Sequence, residues 1–133
     1  TWSESANLAW RTPVPGAGWS SPIVWENRVF ITTARENGTK CHVLCLDRDS
    51  GRVLWDSFVF EQVPRRKESK NSYATPTPVT DGKSVFAVFG DGSVAALDFS
   101  GKVLWTNRDL EFYSRHGLGA SPLLVDGLLV MPY

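Results

Sequence analysis

Hydrophobic and polar positions along this chain fall into short apolar runs, and the runs return in the same order. Ser21-Pro22-Ile23-Val24-Trp25 is a brief apolar run closed by Glu26-Asn27. Arg28-Val29-Phe30-Ile31-Thr32-Thr33 is rich in β-branched residues and predicts a second strand. Glu36-Asn37-Gly38-Thr39 predicts a turn, because Asn-Gly supplies the positive φ that tight hairpins need. Residues 40–47 predict a third strand, Asp49-Ser50-Gly51 turns again, and residues 52–60 make a fourth. Four short antiparallel strands in a meander form one unit.

The unit then repeats. Thr77-Pro78-Val79-Thr80 matches Ser21-Pro22-Ile23-Val24, and Asp81-Gly82 supplies the turn. Ser84-Val85-Phe86-Ala87-Val88 matches the second strand, Gly90-Asp91-Gly92 turns tightly, and residues 93–98 and 102–106 are the third and fourth. A third copy opens with Ser121-Pro122-Leu123-Leu124-Val125, turns at Asp126-Gly127 and continues through Leu128-Leu129-Val130-Met131. One phrase marks the period: Asn7-Leu8-Ala9-Trp10, Arg52-Val53-Leu54-Trp55 and Lys102-Val103-Leu104-Trp105. Four-strand repeats of about 40 to 50 residues are the pattern of β-propeller blades. The period-two runs and frequent turn pairs exclude helical repeats, and no segment predicts a helix.

A four-stranded blade cannot cover both its faces, so a neighbour must. Burying one indole fully removes about 150–250 Å² from water, an upper bound of about 4–6 kcal/mol. A Trp at the start of each outer strand is therefore expected to plug the gap between blades.

The chain has 133 residues, the size of one ordinary domain with a real core. Its 14 basic and 14 acidic residues balance, which argues against a nucleic-acid partner. No run approaches the roughly 18 apolar residues of a membrane span, and the chain opens on Thr1-Trp2-Ser3-Glu4 without a signal peptide. Cys41 and Cys45 lie four apart on a predicted strand, so they point the same way but sit about 13 Å apart. That separation is too long for a disulfide between them, and buried free thiols are expected. Cys41, His42 and Cys45 offer too few ligands for zinc, and alternation sends His42 to the opposite face.

The turn before each Trp carries a resemblance. Cys45-Leu46-Asp47-Arg48-Asp49-Ser50-Gly51-Arg52-Val53-Leu54-Trp55 resembles the tryptophan-docking motif of the quinoprotein-type, or PQQ-like, β-propellers. Ala96-Leu97-Asp98-Phe99-Ser100-Gly101-Lys102-Val103-Leu104-Trp105 fits one residue shorter, and the first copy places Cys45 where Ala is usual. In this reading Asp47 and Asp98 cap the turn, Gly51 and Gly101 take the left-handed position, and Trp55 and Trp105 reach back over it. The resemblance implies an all-β chain, a partial propeller of four-stranded antiparallel blades. Residues 1–15 would be an N-terminal latch strand completing a blade not in this chain. Residues 16–60 would be blade 1, 61–75 a loop, 76–106 blade 2, 107–120 a loop, and 121–133 the start of blade 3. Such a chain leaves open edges and is expected to be a fragment whose partners include the remaining blades of a parent ring. Trp10, on the closing strand, is expected to be the least buried of the three tryptophans.

Long loops on a rigid scaffold usually carry binding residues. The candidates here are Arg65, Arg66, Lys67 and Tyr73 in the first loop and Arg115 and His116 in the second. His116 has no recognisable Ser or Cys nucleophile beside it, and Gly117-Leu118-Gly119 follows no phosphate-loop pattern, so no catalytic, cofactor-binding or metal residue is nominated. The resemblance implies a non-catalytic, BamB-like bacterial scaffold that binds a protein partner through its inter-blade loops, periplasmic or secreted, with no cofactor. The alternative it implies is a fragment of a PQQ-dependent alcohol or sugar dehydrogenase, with PQQ and Ca²⁺ at the ring axis. The dehydrogenase family's catalytic Asp, metal-binding Glu and Asn, and adjacent-cysteine disulfide have no matched positions in this sequence.

Overall fold

The computed structural model describes residues 3–110, 112 and 114–132. Thr1 and Trp2 of the expected latch strand, Glu111 and Tyr113 of the second loop, and Tyr133 lie outside the described residues. The first unit is a four-stranded antiparallel meander of β1 (Ile23–Trp25), β2 (Arg28–Arg35), β3 (Lys40–Asp47) and β4 (Val53–Glu61). The second repeats it with β5 (Val79–Thr80), β6 (Ser84–Val88), β7 (Val94–Asp98) and β8 (Val103–Asn107). A hairpin of β9 (Leu123–Val125) and β10 (Leu128–Val130) begins a third. The sheets stand separately, and no ring closes within the described residues. Among them the one helical element is a 3-10 turn, Glu36–Gly38, at the tip of the β2–β3 hairpin.

Each strand starts after its Ser/Thr-Pro pair rather than on it, since proline cannot donate to a ladder. The Asp126-Gly127 hairpin turn has positive φ at both positions, 50° and 77°, as a two-residue antiparallel link requires. The two outer strands share a further device. Cys45 pairs with Trp55 but Leu46 pairs with Val53, so Leu54 is extra; Ala96 pairs with Trp105 and Leu97 with Val103, so Leu104 is extra. This β-bulge throws Leu54 and Leu104 to the surface and re-aims the following Trp.

The main core lies between the two blades. Phe30, Cys41, Val43, Cys45 and Phe60 from the first pack with Val85, Phe89 and Leu97 from the second. Phe30 is wholly buried, with Phe99 at 5.1 Å and Trp55 at 5.9 Å between ring centroids. The opposite face of blade 1, Val29, Leu44 and Leu46, is covered by Trp10 and Val14 from the N-terminal segment. The far face of blade 2, Val88 and Val94, meets Leu118, Leu129 and Met131.

Residues 7–14 pair with no strand among the described residues; the pairings flanking them are the isolated bridges Ser3 to Ala6 and Ala17 to Ala34, and side chains hold the segment on blade 1. One expectation is corrected: Trp10 is not the least buried tryptophan of the three. Trp10 and Trp55 are both half-buried, whereas Trp105 is 45% exposed.

Candidate functional site

Trp10 and Trp55 dock forward, each onto the turn of the following unit. Trp55 Nε1 donates to the Phe99 carbonyl at 3.0 Å, and two residues on Ser57 Oγ donates to the Gly101 carbonyl at 2.6 Å. Trp10 repeats the geometry one unit earlier, with Nε1 donating to the Arg48 carbonyl at 2.7 Å and Thr12 Oγ1 to the Gly51 carbonyl at 2.6 Å. The expectation that the Trp reaches back over its own turn is thus corrected for Trp55. The indole of Trp55 lies against Gly101, where an added Cβ would sit 2.7 Å from its Cδ2. Residues 10–12 occupy, relative to blade 1, the place β4 occupies relative to blade 2.

The turns themselves are built as the sequence implies. Gly51 and Gly101 hold φ of 71° and 89°. Asp47 Oδ1 accepts from Ser50 N at 2.8 Å and Ser50 Oγ at 2.6 Å. Asp98 Oδ1 accepts from Ser100 N at 2.8 Å, Ser100 Oγ at 2.6 Å and Lys102 N at 3.0 Å. The serine hydroxyls first, and then the backbone donors, hold both carboxyls below the usual carboxylate range. A second seam runs through the strand starts: Ser21 N donates to Thr77 Oγ1 and Thr77 N to Ser121 Oγ, each at 3.0 Å. Sequence reasoning missed this hydroxyl, and missed Thr12 and Ser57 as well, although the recurrent Ser/Thr-Pro and Trp-x-Ser/Thr pairs signal them.

The two inter-blade loops lie on one face and are knitted together. Asn71 Nδ2 donates to the His116 carbonyl at 2.8 Å, Glu68 N to the same oxygen at 3.3 Å, and an Arg65 guanidinium N–H to the Phe112 carbonyl at 3.3 Å. Gln62, buried, bridges the blades: Nε2 donates to the Tyr73 carbonyl at 3.2 Å and Oε1 accepts from Asp91 N at 3.2 Å. Tyr73 is a pillar rather than a free contact residue. Its hydroxyl donates to the Arg65 carbonyl at 2.8 Å, its ring packs against Gly38 of the β2–β3 tip, and Lys67 Nζ stands 5.2 Å above it. Arg66 and Arg115 are exposed, and neither pairs with a carboxylate among the described residues. Beside these loops opens a cleft of about 580 Å³ between residues 16–19, the β2–β3 tip and the first loop, with Trp19 55% exposed at its edge.

His116 is exposed and faces Glu68 Oε1 at 3.9 Å. His42 lies on the other face of blade 1, its Nδ1 2.9 Å from Asp56 Oδ1, while Arg35 pairs with the second Asp56 oxygen. Both cysteines are free and buried, and burial raises both thiols above their ordinary range, Cys41 far above it, with Arg28 partly opposing this at Cys45. No three His, Cys, Asp or Glu side chains among the described residues are grouped to hold a metal ion. No helix among the described residues is long and apolar enough to cross a membrane.

Comparison with known proteins agrees with the fold. A family model described as outer membrane protein assembly factor BamB matches the chain twice, over residues 1–108 and 39–133. The crystal structure of BamB from Moraxella catarrhalis superposes with a TM-score of 0.70 at 21% identity, covering 96% of this chain and 38% of that one. A europium-containing methanol dehydrogenase superposes with a TM-score of 0.58 at 20% identity, covering 90% of this chain and 21% of that one. The chain thus spans well under half the length of either structure. Among curated proteins none matches it.

Proposed function

The chain belongs to the family of the outer membrane protein assembly factor BamB, a family of PQQ-like propeller repeats, and from that premise we propose that it acts as a non-catalytic scaffold for protein assembly, periplasmic or secreted. The observation that carries this reading is the joined loop face. Arg65, Lys67, Tyr73 and His116 are brought together there by main-chain and side-chain hydrogen bonds, while Arg66 and Arg115 are left free to meet a partner. Rigid loops on a propeller rim suit protein recognition, because little ordering entropy remains to be lost on binding. The Trp-docking residues Asp47, Gly51, Trp55, Asp98, Gly101, Trp105 and Trp10 serve this role indirectly, by fixing the angle between blades.

The test uses the full-length protein in its native host. Its removal is expected to lower the amount of assembled outer-membrane β-barrel protein, and a version carrying Arg66→Glu and Arg115→Glu is expected to restore that amount poorly. Full restoration by the double variant sinks the role of the loop face. The second reading, part of a PQQ-dependent dehydrogenase, draws on the structural match to a methanol dehydrogenase. Saturable PQQ binding in the presence of Ca²⁺ or a lanthanide, together with dye-linked alcohol oxidation by the purified full-length protein, would replace the scaffold reading with this one.

A further inference from the structure

One face of blade 1 is only half covered, and the uncovered half is chemically specific. Antiparallel pairing sets His42 opposite Phe58, Leu44 opposite Asp56, and Lys40 between Arg35 and Glu61, so these side chains share the face of Leu44 and Leu46. Trp10 and Val14 cover Leu44 and Leu46. Beyond them lies a hollow of about 520 Å³ bounded by Arg35, Glu36, Lys40, His42, Phe58 and Glu61.

His42 is 8% exposed, yet its ring offers one atom outward. The Asp56 carboxylate, paired with Arg35, can only accept, and its Oδ1 stands 2.9 Å from His42 Nδ1. In the neutral ring Nδ1 therefore carries the proton and Nε2 the lone pair. Nε2 has no hydrogen-bond partner among the described residues. Thr32 Oγ1 is the one fully buried side-chain polar atom among them without a partner, so Nε2 is not sealed in and opens on the hollow that His42 lines.

The other groups at the hollow narrow the ligand. Phe58 is 48% exposed and meets the His42 ring edge-on, at 5.6 Å between centroids. Lys40 donates to Glu36 at 2.6 Å and Arg35 is held by Asp56, so both cations already stand on carboxylates. Glu61 adds to the field on the Lys40 ammonium but forms no ion pair or hydrogen bond among the described residues. An aromatic face, a lone pair and a carboxylate without an ion pair call for a planar cation made only of donors, which is a guanidinium.

The two blades already join through such contacts. Arg28 of blade 1 stands 5.8 Å over Phe99 of blade 2 and donates to its carbonyl at 3.0 Å. Arg108 of blade 2 stands 5.4 Å over Phe60 of blade 1. The irregular pairing between Cys41 and His42 sends Phe60 and Phe58 to opposite faces of the sheet, so β4 carries a guanidinium on one side and a bare phenyl on the other. Both existing arginines come from packed polypeptide, which favours that source over a small molecule.

We infer that this half-covered face of blade 1 receives an arginine side chain of a polypeptide partner, its guanidinium stacked on Phe58, paired with Glu61 and donating to His42 Nε2. The site is separate from the inter-blade loop face and does not depend on the scaffold reading.

The test uses the full-length protein and a fluorescein-labelled peptide alternating Arg and Val. Comparison peptides carry Lys or citrulline in place of Arg, and arginine amide is the small-molecule probe. By fluorescence anisotropy the Arg peptide is expected to bind about fivefold tighter than either comparison peptide, and to lose about fivefold in Phe58→Ala and, separately, in Glu61→Gln. Diethyl pyrocarbonate reports on Nε2 directly, because it acylates an imidazole lone pair that it can reach. Trypsin isolates His42 in the fragment 41–48, where mass spectrometry reads the adduct. His42 is expected to react in the free protein and to be protected by the Arg peptide, but not by arginine amide at the same concentration. Neither the peptide comparison nor the adduct depends on a variant folding. Equal binding of the Lys or citrulline peptide, or unchanged affinity in a variant that keeps the wild-type melting temperature, overturns the inference. So does a His42 that is unreactive before peptide is added, or one that arginine amide protects equally well.

Discussion

Forward docking of the tryptophans makes a sharp prediction about which glycine Trp55 depends on. Truncating Trp55 to Ala removes a half-buried indole, roughly 100 Å² of apolar area and about 2.5 kcal/mol at 25 cal/mol/Å². It also removes the hydrogen bond to the Phe99 carbonyl, about 1 kcal/mol more. Gly101→Ala forces a side chain onto a φ of 89°, at about 1–2 kcal/mol, and pushes its Cβ to 2.7 Å from the indole, a clash of about 1–3 kcal/mol. The clash with the indole disappears once the indole is gone, while the 2.8 Å approach to Ser57 Oγ remains in both backgrounds. The double variant should therefore lose about 1–3 kcal/mol less than the sum of the single losses. Urea unfolding followed by circular dichroism measures each corner of the cycle. The control is Trp55→Ala with Gly51→Ala, residues the structure keeps apart, where losses should add to within about 0.5 kcal/mol. Coupling to Gly51 instead of Gly101 would refute forward docking.

Three further outcomes follow from named contacts. Asp47, Asp81 and Asp98 all have depressed carboxyl pKa values, Asp47 and Asp98 chiefly through serine hydroxyls and Asp81 chiefly through the Ser84 backbone N–H. Their contribution is fully present above the unfolded value of about 3.9 and is lost as pH falls through the lower folded values. The melting temperature of wild type should thus fall more steeply between about pH 4 and pH 2 than that of Asp98→Ala; parallel curves would contradict this. Cys41 and Cys45 should resist a thiol reagent at pH 8 in the native protein and react once unfolded in urea, and rapid native labelling would place them outside the core. Gln62→Ala strands the Asp91 N–H and leaves the Tyr73 carbonyl only its bond from Gly90 N, and should cost about 1–3 kcal/mol, with proteolysis moving first to the 63–72 loop; unchanged cleavage would remove its bridging role.

The strands and turns were legible because their causes are local. A short apolar run bounded by turns produced β3, and Val- and Phe-rich sequence produced β6, both at the expected bounds, and Gly51 and Gly101 adopt the left-handed φ that a turn after Asp and Ser demands. The loop residues Arg65, Lys67, Tyr73 and His116 were legible as candidates from loop length alone, but not their roles. Tyr73 looks like a binding aromatic in the sequence; only its hydrogen bond to Arg65 within the folded loop and its packing on Gly38, distant along the chain, make it a pillar.

The tryptophans divide the two kinds of knowledge most cleanly. Their recurrence, their bulged strand and their Asp-capped turn are properties of neighbouring residues, and chain order alone dictates them. Which turn each indole covers is another matter, since the turns of successive units have nearly the same sequence and would accept it equally. Only the tertiary arrangement chooses. The bulge at Leu54 turns Trp55 toward the next sheet, and the core around Phe30 and Leu97 holds that sheet at the distance where Nε1 meets the Phe99 carbonyl. The same long-range packing seats Trp10 on blade 1 and Trp55 on blade 2, both half-buried, and leaves Trp105 the most exposed of the three.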